Sequence, residues 1–324
     1  MTTQAYGQQS AVALAFQDSG GAENVSSLHW IPFMSEGIGL AKDNLQSQDM
    51  RRLFDEGDEY EGPNSVDGDL EMEAQPIAIG AILRTIFGSP TSTAVDSAFQ
   101  HVYELPNSDF DRYYAHTPVT YYKDLGDAGS AQLFYDLNVT QLQLSVANGE
   151  LLKATASFVG GKQKQTAALT PSFPTGKRWT WDAGSVSVAG SAVDEVAELT
   201  FTVNDNLEAQ HTLKAQKTPS RIKRTDFRTV EIGGTLRFET QDEYQKFLDQ
   251  SERELDVTFM GNTEIASGHY DTLRIQAPLM RYRENRPAAG GVGPITVDFT
   301  AGGKYSTDSG TALRVTLVNT QSTY

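Results

Sequence analysis

The sequence has 324 residues, enough for about two domains of ordinary size that each bury a core. Asp and Glu number 42 against 26 Lys and Arg, and the resulting formal net charge of -16 argues against tight nucleic-acid binding. The absence of Cys excludes a disulfide scaffold, thiolate zinc sites and cysteine nucleophiles. Val, Ile, Thr, Tyr and Phe are spread along the chain and favour an all-β fold with few helices.

The first apolar run, Ala11 to Phe16, is short. It is well below the length that spans a bilayer, and no basic stretch precedes it. The sequence therefore predicts neither a signal peptide nor a transmembrane helix, and we expect a product made and used in the cytoplasm.

An unusual row of carboxylates lies in the stretch VDGDLEMEAQP, from Val66 to Pro76. Alternate side chains of a strand point to opposite faces. The apolar members of the stretch are therefore expected to pack beneath a helix that begins near Pro76, while the acids face away into water. We call the four acids the acid row: Asp67, Asp69, Glu71 and Glu73.

The chain repeats itself. DNLQSQ at Asp43 returns as DNLEAQ at Asp205, and each copy follows an alternating stretch and precedes a polar loop and a second strand. In that second strand four positions of the first copy match four of the second: Val66, Gly68, Leu70 and Met72 match Ile232, Gly234, Leu236 and Phe238. Helical spacing follows in both copies, as QPIAIGAILRTIFG with Pro76 in its first turn, and as TQDEYQKFL with Thr240 and Glu243 in capping-box spacing.

The similarity continues downstream. YDLNVTQLQL at Tyr135 resembles YDTLRIQAPL at Tyr270, and SFVGGK ending at Lys162 resembles DFTAGGK ending at Lys304. A junction in the polar, Pro- and Gly-containing stretch from Lys162 to Arg178 divides the chain into two domains, 1–165 and 166–324.

Four segments of the first half carry a resemblance to a known family. They read IPFMSEGIGLAKDNLQSQDMRR, VDGDLEMEAQPIAIGAILRTIFG, FQHVYELP and FYDLNVTQLQLSVANGELLKATASFVGGK. Together they resemble the tail tube, or major tail, proteins of long-tailed bacteriophages of the siphovirus type. The resemblance covers about Trp30 to Lys162, and over the second half it rests largely on the internal repeat.

This resemblance implies an all-β fold with minor α: two tandem β-sandwich or barrel domains, each with a flanking helix. Inner strands of the subunits would join into a ring-shaped β-barrel, and rings would stack through long loops into a tube. The tube would hold the tape-measure protein, conduct DNA during ejection without binding it specifically, and meet tail tip and terminator proteins. A tandem-domain chain implies a trimeric pseudo-hexameric ring, with a hexamer left open. The protein would be a structural virion component, not an enzyme, assembled in the host cytoplasm without membrane or cofactor.

Within this framework we interpret the acid row as channel-lining. Carboxylates on the wall give a passing polyanion no counter-charge to hold it. The matching face of the second copy carries Glu231, Thr235, Arg237 and Glu239. Two alternatives stay open: a plain solvent-exposed strand face, and a catalytic carboxylate pair, since same-face neighbours on a strand lie about 7 Å apart.

The loops after the two repeat motifs have opposite charge. The acidic loop contains Asp55, Glu56, Asp58, Glu59 and Glu61. The basic loop contains Lys214, Lys217, Arg221, Lys223, Arg224 and Arg228. We predict that these loops alternate around the ring and set the angular register of stacking. The alternatives are two solvated loops, nucleic-acid binding by RIKR, or an incidental cation in the acidic loop.

Other chemistry is weakly supported. The sequence has no nucleophile elbow, Walker A, Rossmann or H-E-x-x-H motif, and no catalytic residue, cofactor or metal is predicted. The histidines, which are His29, His101, His116, His211 and His269, lack metal-ligand spacing. An alternative role for Trp30, Trp179 and Trp181 is a sugar-stacking platform. With the acid row, they leave a carbohydrate-binding β-sandwich or a glycoside hydrolase as the alternative function.

Overall fold

The computed structural model describes residues 6–17, 23, 25–50, 52, 54–106, 118–126, 130–214, 216–238, 241–285, 287 and 295–324. The side chains of residues 242 and 243 lie outside this description.

The first half of the chain contains ten strands, one 3-10 helix and one α-helix within the described ranges. They are η1 (3-10 helix, Gly7–Gln9), β1 (Ala11–Phe16), β2 (His29–Ile31), β3 (Ser35–Glu36), β4 (Gly39–Gln46), β5 (Glu59–Glu73), α1 (Ala78–Phe87), β6 (Thr91–Val95), β7 (Ala98–Glu104), β8 (Val119–Asp124), β9 (Ser130–Ala147) and β10 (Lys153–Ala167).

The second half has a similar order of elements. They are η2 (3-10 helix, Trp181–Ala183), β11 (Gly184–Val188), β12 (Ser191–Ala192), β13 (Val196–Asn204), β14 (Leu207–Gln210), β15 (Arg221–Arg224), β16 (Thr229–Arg237), α2 (Asp242–Leu248), β17 (Arg253–Ala266), β18 (His269–Asn285), β19 (Thr296–Lys304) and β20 (Arg314–Asn319). The predicted all-β fold with minor α is confirmed, and the described strands of one chain do not close into a barrel.

Equivalent strands of the two halves pair in the same order. The first half runs β4–β5–β10–β9, and the second runs β13–β16–β19–β18. Gly68 lies opposite Phe158 in the first half, and Gly234 lies opposite Phe299 in the second. Tyr135 and Tyr270, which the sequence repeat aligns, lie in equivalent strands but at different positions along them. Tyr135 lies opposite Lys162, whereas Leu279, not Tyr270, lies opposite Lys304.

One antiparallel pairing joins the halves into a single sheet. Strand β13 pairs with β9 on one side and with β16 on the other, with Phe201 opposite Leu144 and Ile232. The last strand also crosses between halves, because β20 pairs with β18 of the second half and β7 of the first. The two halves therefore share one continuous sheet and one core.

The alternation in β5 separates the core from water as predicted. Val66, Leu70 and Met72 are almost completely buried in the core cluster that also contains Ile79 and Ile82 of α1. Helix α1 begins two residues after Pro76, and its end at Gly88 has a positive φ of 85°. Thr240, the predicted cap of α2, lies outside the described residues, and α2 begins at Asp242.

The C-terminal segment packs against α1. The Tyr324 ring lies on Gly80, where a Cβ atom would overlap it. The Tyr324 hydroxyl donates to the Ile77 carbonyl at 2.8 Å, and the Asn319 side-chain amide donates to the Tyr324 hydroxyl at 2.6 Å. This contact ties the second half of the chain to the helix of the first.

Candidate channel-facing and ring-stacking surfaces

A single polar face runs across both halves of the sheet. Residues directly opposite each other in neighbouring strands share a face, so the register traces this face from strand to strand. One level across the sheet consists of Glu71, Thr155, Gln143, Thr202 and Glu231. All five side chains are exposed or half-buried, whereas their neighbours Leu142, Leu144, Phe201 and Ile232 are buried. The face is therefore polar and wet across the seam between the halves.

The acid row lies on this face. Asp67 and Asp69 are exposed, and Glu71 and Glu73 are half-buried. Their predicted counterparts in β16 lie on the same side of the sheet: Glu231 and Arg237 are exposed and Thr235 is half-buried. Glu239, also predicted to line the channel, lies outside the described residues.

Cations approach the acid row at one end. The Arg178 Nε lies 3.1 Å from the Glu73 carboxylate, and Lys153 lies directly opposite Glu73 in β10. The hydrogen bond of Lys153 to Glu150, 2.9 Å long, is the main cause that raises the pKa of Lys153, and Glu71 and Glu73 add to it. Sequence reasoning missed both cations, because neither adjoins the row along the chain.

In the second half, carboxylates on this face also have polar or cationic partners. The Arg283 guanidinium lies 3.9 Å from the Glu231 carboxylate and covers Gly302, where a Cβ would lie 2.6 Å from its Nη2. Thr235 donates a 2.8 Å hydrogen bond to Asp298. The second half of the face is therefore less acidic than the first.

The acidic loop lies at the tip of a hairpin that we call the arm, described at residues 44–50, 52 and 54–61. Strands β4 and β5 remain paired to its outer end, where Gln46 lies opposite Glu59 and Leu45 lies opposite Tyr60. The five predicted acids are all exposed on the arm: Asp55, Glu56, Asp58, Glu59 and Glu61. Four apolar side chains are exposed there as well: Leu45, Met50, Phe54 and Tyr60.

The basic loop folds into a small hairpin, β14–β15. Lys214, Lys217 and Arg221 are exposed, and Lys223 is half-buried. Arg224 and Arg228 instead bind the buried carboxylate of Asp205: the Arg224 Nη2 lies 2.9 Å from it, and the Arg228 Nε also donates to it. These two arginines therefore neutralise a buried charge, a role that their place in a basic run does not reveal.

The two loops touch each other. Lys217 pairs with Glu61, and this hydrogen bond is the main cause that lowers the pKa of Glu61. The Asn64 N–H donates to the Lys217 carbonyl at 2.9 Å, and the Asn64 carbonyl oxygen lies 3.1 Å from the His211 Nε2. The acidic and basic loops therefore lie at the same end of the sheet.

The residues of the alternative functions do not assemble into a site. Trp179 is buried and donates to the Asp271 carbonyl at 3.1 Å, and Trp30 packs edge-on against Tyr122. Of the three tryptophans, Trp181 alone is exposed. Among the described residues no cluster of His, Asp and Glu has the geometry to hold a metal ion. His116 lies outside the described residues.

Comparison with known proteins identifies the family. The family model described as phage tail tube protein matches residues 7–304, across both halves of the sheet. A comparison with curated proteins finds no match. In the described part of the chain, no helix has the length and apolar character needed to cross a membrane.

The family match confirms the resemblance found in the sequence. It assigns a structural role in the viral tail, where the protein assembles with copies of itself and with other tail components into a tube. The chain belongs to the phage tail tube protein family.

Proposed function

We propose that three copies of the chain form a pseudo-hexameric ring and that stacked rings make the tail tube. In this proposal residues 1–165 and 166–324 are the two ring-forming domains, and the polar face of the sheet lines the bore. The bore holds the tape-measure protein and later conducts DNA. The observation that carries the proposal is the β9–β13 pairing, which extends one polar face through both halves.

The strand register gives the tilt of such a barrel. Glu71 lies level with Glu231, although its counterpart in the repeat is Arg237, so each half is staggered from the next by 237 − 231 = 6 residues. The stagger accumulates over the four strand steps from β5 to β16. At about 3.3 Å per residue and about 4.8 Å per strand, this is a tilt of roughly 45°, near the range of closed barrels.

The same geometry supports a particular size for the proposed ring. Each half contributes its run of four strands to the proposed ring, so three chains contribute about 24 strands. At this tilt the backbone ring is about 52 Å across. Side chains projecting inward by about 6 Å on each side leave a bore of roughly 40 Å. Six copies would double the strand number and the backbone diameter, which favours three copies for a narrow channel around the tape-measure protein.

The charges of the face suit passage of a polyanion. Asp67 and Asp69 form no ion pair within the described part of the chain, and Lys153 and Arg178 are each paired with a glutamate. Phosphates passing the acid row therefore meet no unpaired cation that would release counterions and hold the DNA, whereas the second half of the same face carries the exposed Arg237.

The two loops are proposed to set the angular register of stacking. Both lie at one end of the sheet, so acidic and basic loops alternate around that end of a three-chain ring. Of the basic residues, Lys214, Arg221 and Lys223 remain for contacts with the next ring. Complementary charges fix orientation and partner choice more than affinity.

Electron microscopy of the purified protein tests the proposal. We expect rings or hollow tubes with a bore of roughly 40 Å and six-lobed end views. Particles that remain single chains at high protein concentration, or rings with a different number of lobes, would overturn it.

A further inference from the structure

A cavity opens beneath helix α2 in the second half of the chain. It has a volume of about 430 Å³ and is bounded by α2 and by the ends of β16, β17, β18 and β19. Part of its wall is apolar, with Leu236, Phe238, Tyr244 and Val297. The volume falls within the range of small-molecule sites, about 300–1,000 Å³, and greatly exceeds the roughly 30 Å³ of one water molecule. We call this cavity the α2 pocket.

A buried polar group without a partner lies in the wall of the α2 pocket. Asn285, at the end of β18, is 2% exposed, and its amide nitrogen Nδ2 has no hydrogen-bond partner among the described residues. An unpaired buried donor is destabilising, and native proteins leave few of them. The Asn285 amide therefore needs an acceptor that the described part of the chain does not supply.

The α2 pocket also concentrates positive charge in a chain that is acidic as a whole. Three cations line it against two carboxylates: Arg237, Lys246 and Arg253 against Glu195 and Asp249. Arg237 forms no ion pair within the described ranges, and the Arg253 Nε donates to the Ser251 hydroxyl at 3.2 Å rather than to a carboxylate. A water molecule would satisfy the buried amide but would leave both guanidinium groups without an anion. The pocket therefore favours a negatively charged acceptor.

The first half of the chain shows why this pocket belongs to the second. Nine of the ten residues of α1 are buried, so α1 lies directly on the apolar core. In α2, Tyr244 and Phe247 are only half-buried. The repeat places Glu71 where the second half has Arg237, so the exposed cation beside the pocket is also particular to the second copy.

The adjoining groove excludes the same kind of ligand. Arg237 borders both cavities, but the groove beside β13 is lined by Asp182, Asp194 and Glu198. These carboxylates would repel an anion. An anionic ligand is therefore directed to the α2 pocket and away from the groove.

We propose that the α2 pocket binds a small organic carboxylate with an aromatic or aliphatic body. The carboxylate accepts a hydrogen bond from the Asn285 amide and pairs with Arg237 and Arg253. The body of the ligand packs on the apolar wall at Phe238 and Tyr244. The site needs neither rings nor tubes, so its test is independent of the proposed function.

Titration of the full chain with 4-phenylbutyrate, followed by calorimetry, tests the proposal. We expect saturable binding of one 4-phenylbutyrate per chain. The alcohol 4-phenylbutanol has the same body without the charge, and acetate has the charge without the body, so each should bind at least about tenfold more weakly. Equal binding of the alcohol, equal binding of acetate, or no saturable binding of 4-phenylbutyrate up to about 10 mM would each overturn the proposal.

A double variant locates the bound carboxylate. Arg237→Gln with Arg253→Gln should weaken 4-phenylbutyrate binding at least about tenfold, because both guanidinium partners are removed. The matched control, Arg281→Gln with Arg283→Gln, removes two arginines of the same half that do not line the pocket and should leave the affinity unchanged. Equal losses in the two double variants, or unchanged binding in the first, would reject the site.

Asn285→Asp tests the buried amide by itself. It keeps the size of the side chain but replaces the donor with a carboxylate, so the dissociation constant for 4-phenylbutyrate should rise at least about tenfold. A melting curve checks that the variant is folded. Unchanged affinity in the folded variant would show that the amide takes no part in binding and would overturn its assignment.

Discussion

At the scale of single residues, the first aspartates of the two repeat motifs differ in burial. Asp43 of DNLQSQ is exposed, whereas Asp205 of DNLEAQ is fully buried and held by Arg224 and Arg228. Removing one partner of a buried ion pair typically costs about 3–5 kcal/mol, because the remaining charges are left without compensation.

We therefore expect Asp205→Asn to lower the free energy of unfolding by about 3 kcal/mol. Urea denaturation measures it. The matched control is Asp43→Asn, which should change stability by less than about 0.5 kcal/mol. Equal effects of the two changes would show that the buried Asp205 cluster contributes no more to stability than the exposed Asp43.

Gly80 is a second residue whose role depends on a distant partner. A Cβ at this position overlaps the Tyr324 ring, so Gly80→Ala must displace the C-terminal tyrosine from α1. We expect a loss of about 1–3 kcal/mol in thermal or urea unfolding, the usual cost of overpacking. Gly7→Ala, where a Cβ meets nothing within 4 Å, is the control. In a Tyr324→Ala background the Gly80→Ala cost should largely disappear, and full additivity would contradict the contact.

At the scale of elements, β20 and the residues after it anchor the second half on the first. His101 of β7 is buried, with its Nε2 2.8 Å from the Gln321 carbonyl oxygen and its Nδ1 2.7 Å from the Ser92 hydroxyl. Burial lowers the pKa of His101, and burial followed by the nearby Arg84 lowers the pKa of His29. Both rings contact Tyr324.

This anchor should weaken in acid. A histidine with a lowered pKa in the folded state contributes stability that is present above its unfolded pKa of about 6.5 and is lost as the pH falls below that value. We expect the free energy of unfolding to decrease between pH 7 and pH 5. His101→Asn together with His29→Gln should flatten that slope. An unchanged slope in the double variant would assign the acid sensitivity to other groups.

At the scale of the whole molecule, the acid row belongs to a face that both halves build. If the face lines the bore, Asp67→Lys with Asp69→Lys should leave tubes intact, because both side chains are exposed, but should make them retain duplex DNA. Co-sedimentation of DNA with tubes at low and high salt measures this. The control is Thr91→Lys with Thr93→Lys on exposed β6, which adds lysines outside strands β5, β10, β9, β13 and β16. Equal retention by the two variants would place the acid row outside the bore.

Much of the fold could be predicted from local patterns in the sequence. The alternation at Val66, Leu70 and Met72 predicted which face of β5 is buried, since the side-chain period of a strand is two. The repeat predicted equivalent strands, and helical spacing after Pro76 predicted α1. The sequence match aligned Tyr135 with Tyr270, but the two residues lie at different positions along their strands. A short similarity within a long strand does not determine which residue of the neighbouring strand lies opposite.

The sequence by itself determined the β-rich class, the acidic composition, the internal repeat and the family, because each depends on residue types or spacings along the chain. Only the tertiary structure decided that Arg178 approaches Glu73, that Arg224 and Arg228 enclose Asp205, and that β9 pairs with β13. Those contacts join residues far apart in the chain. Which residues meet is decided by how the strands pack into one sheet. That packing is selected by the combined energy of many weak contacts, and no short repeat or spacing in the sequence reveals it.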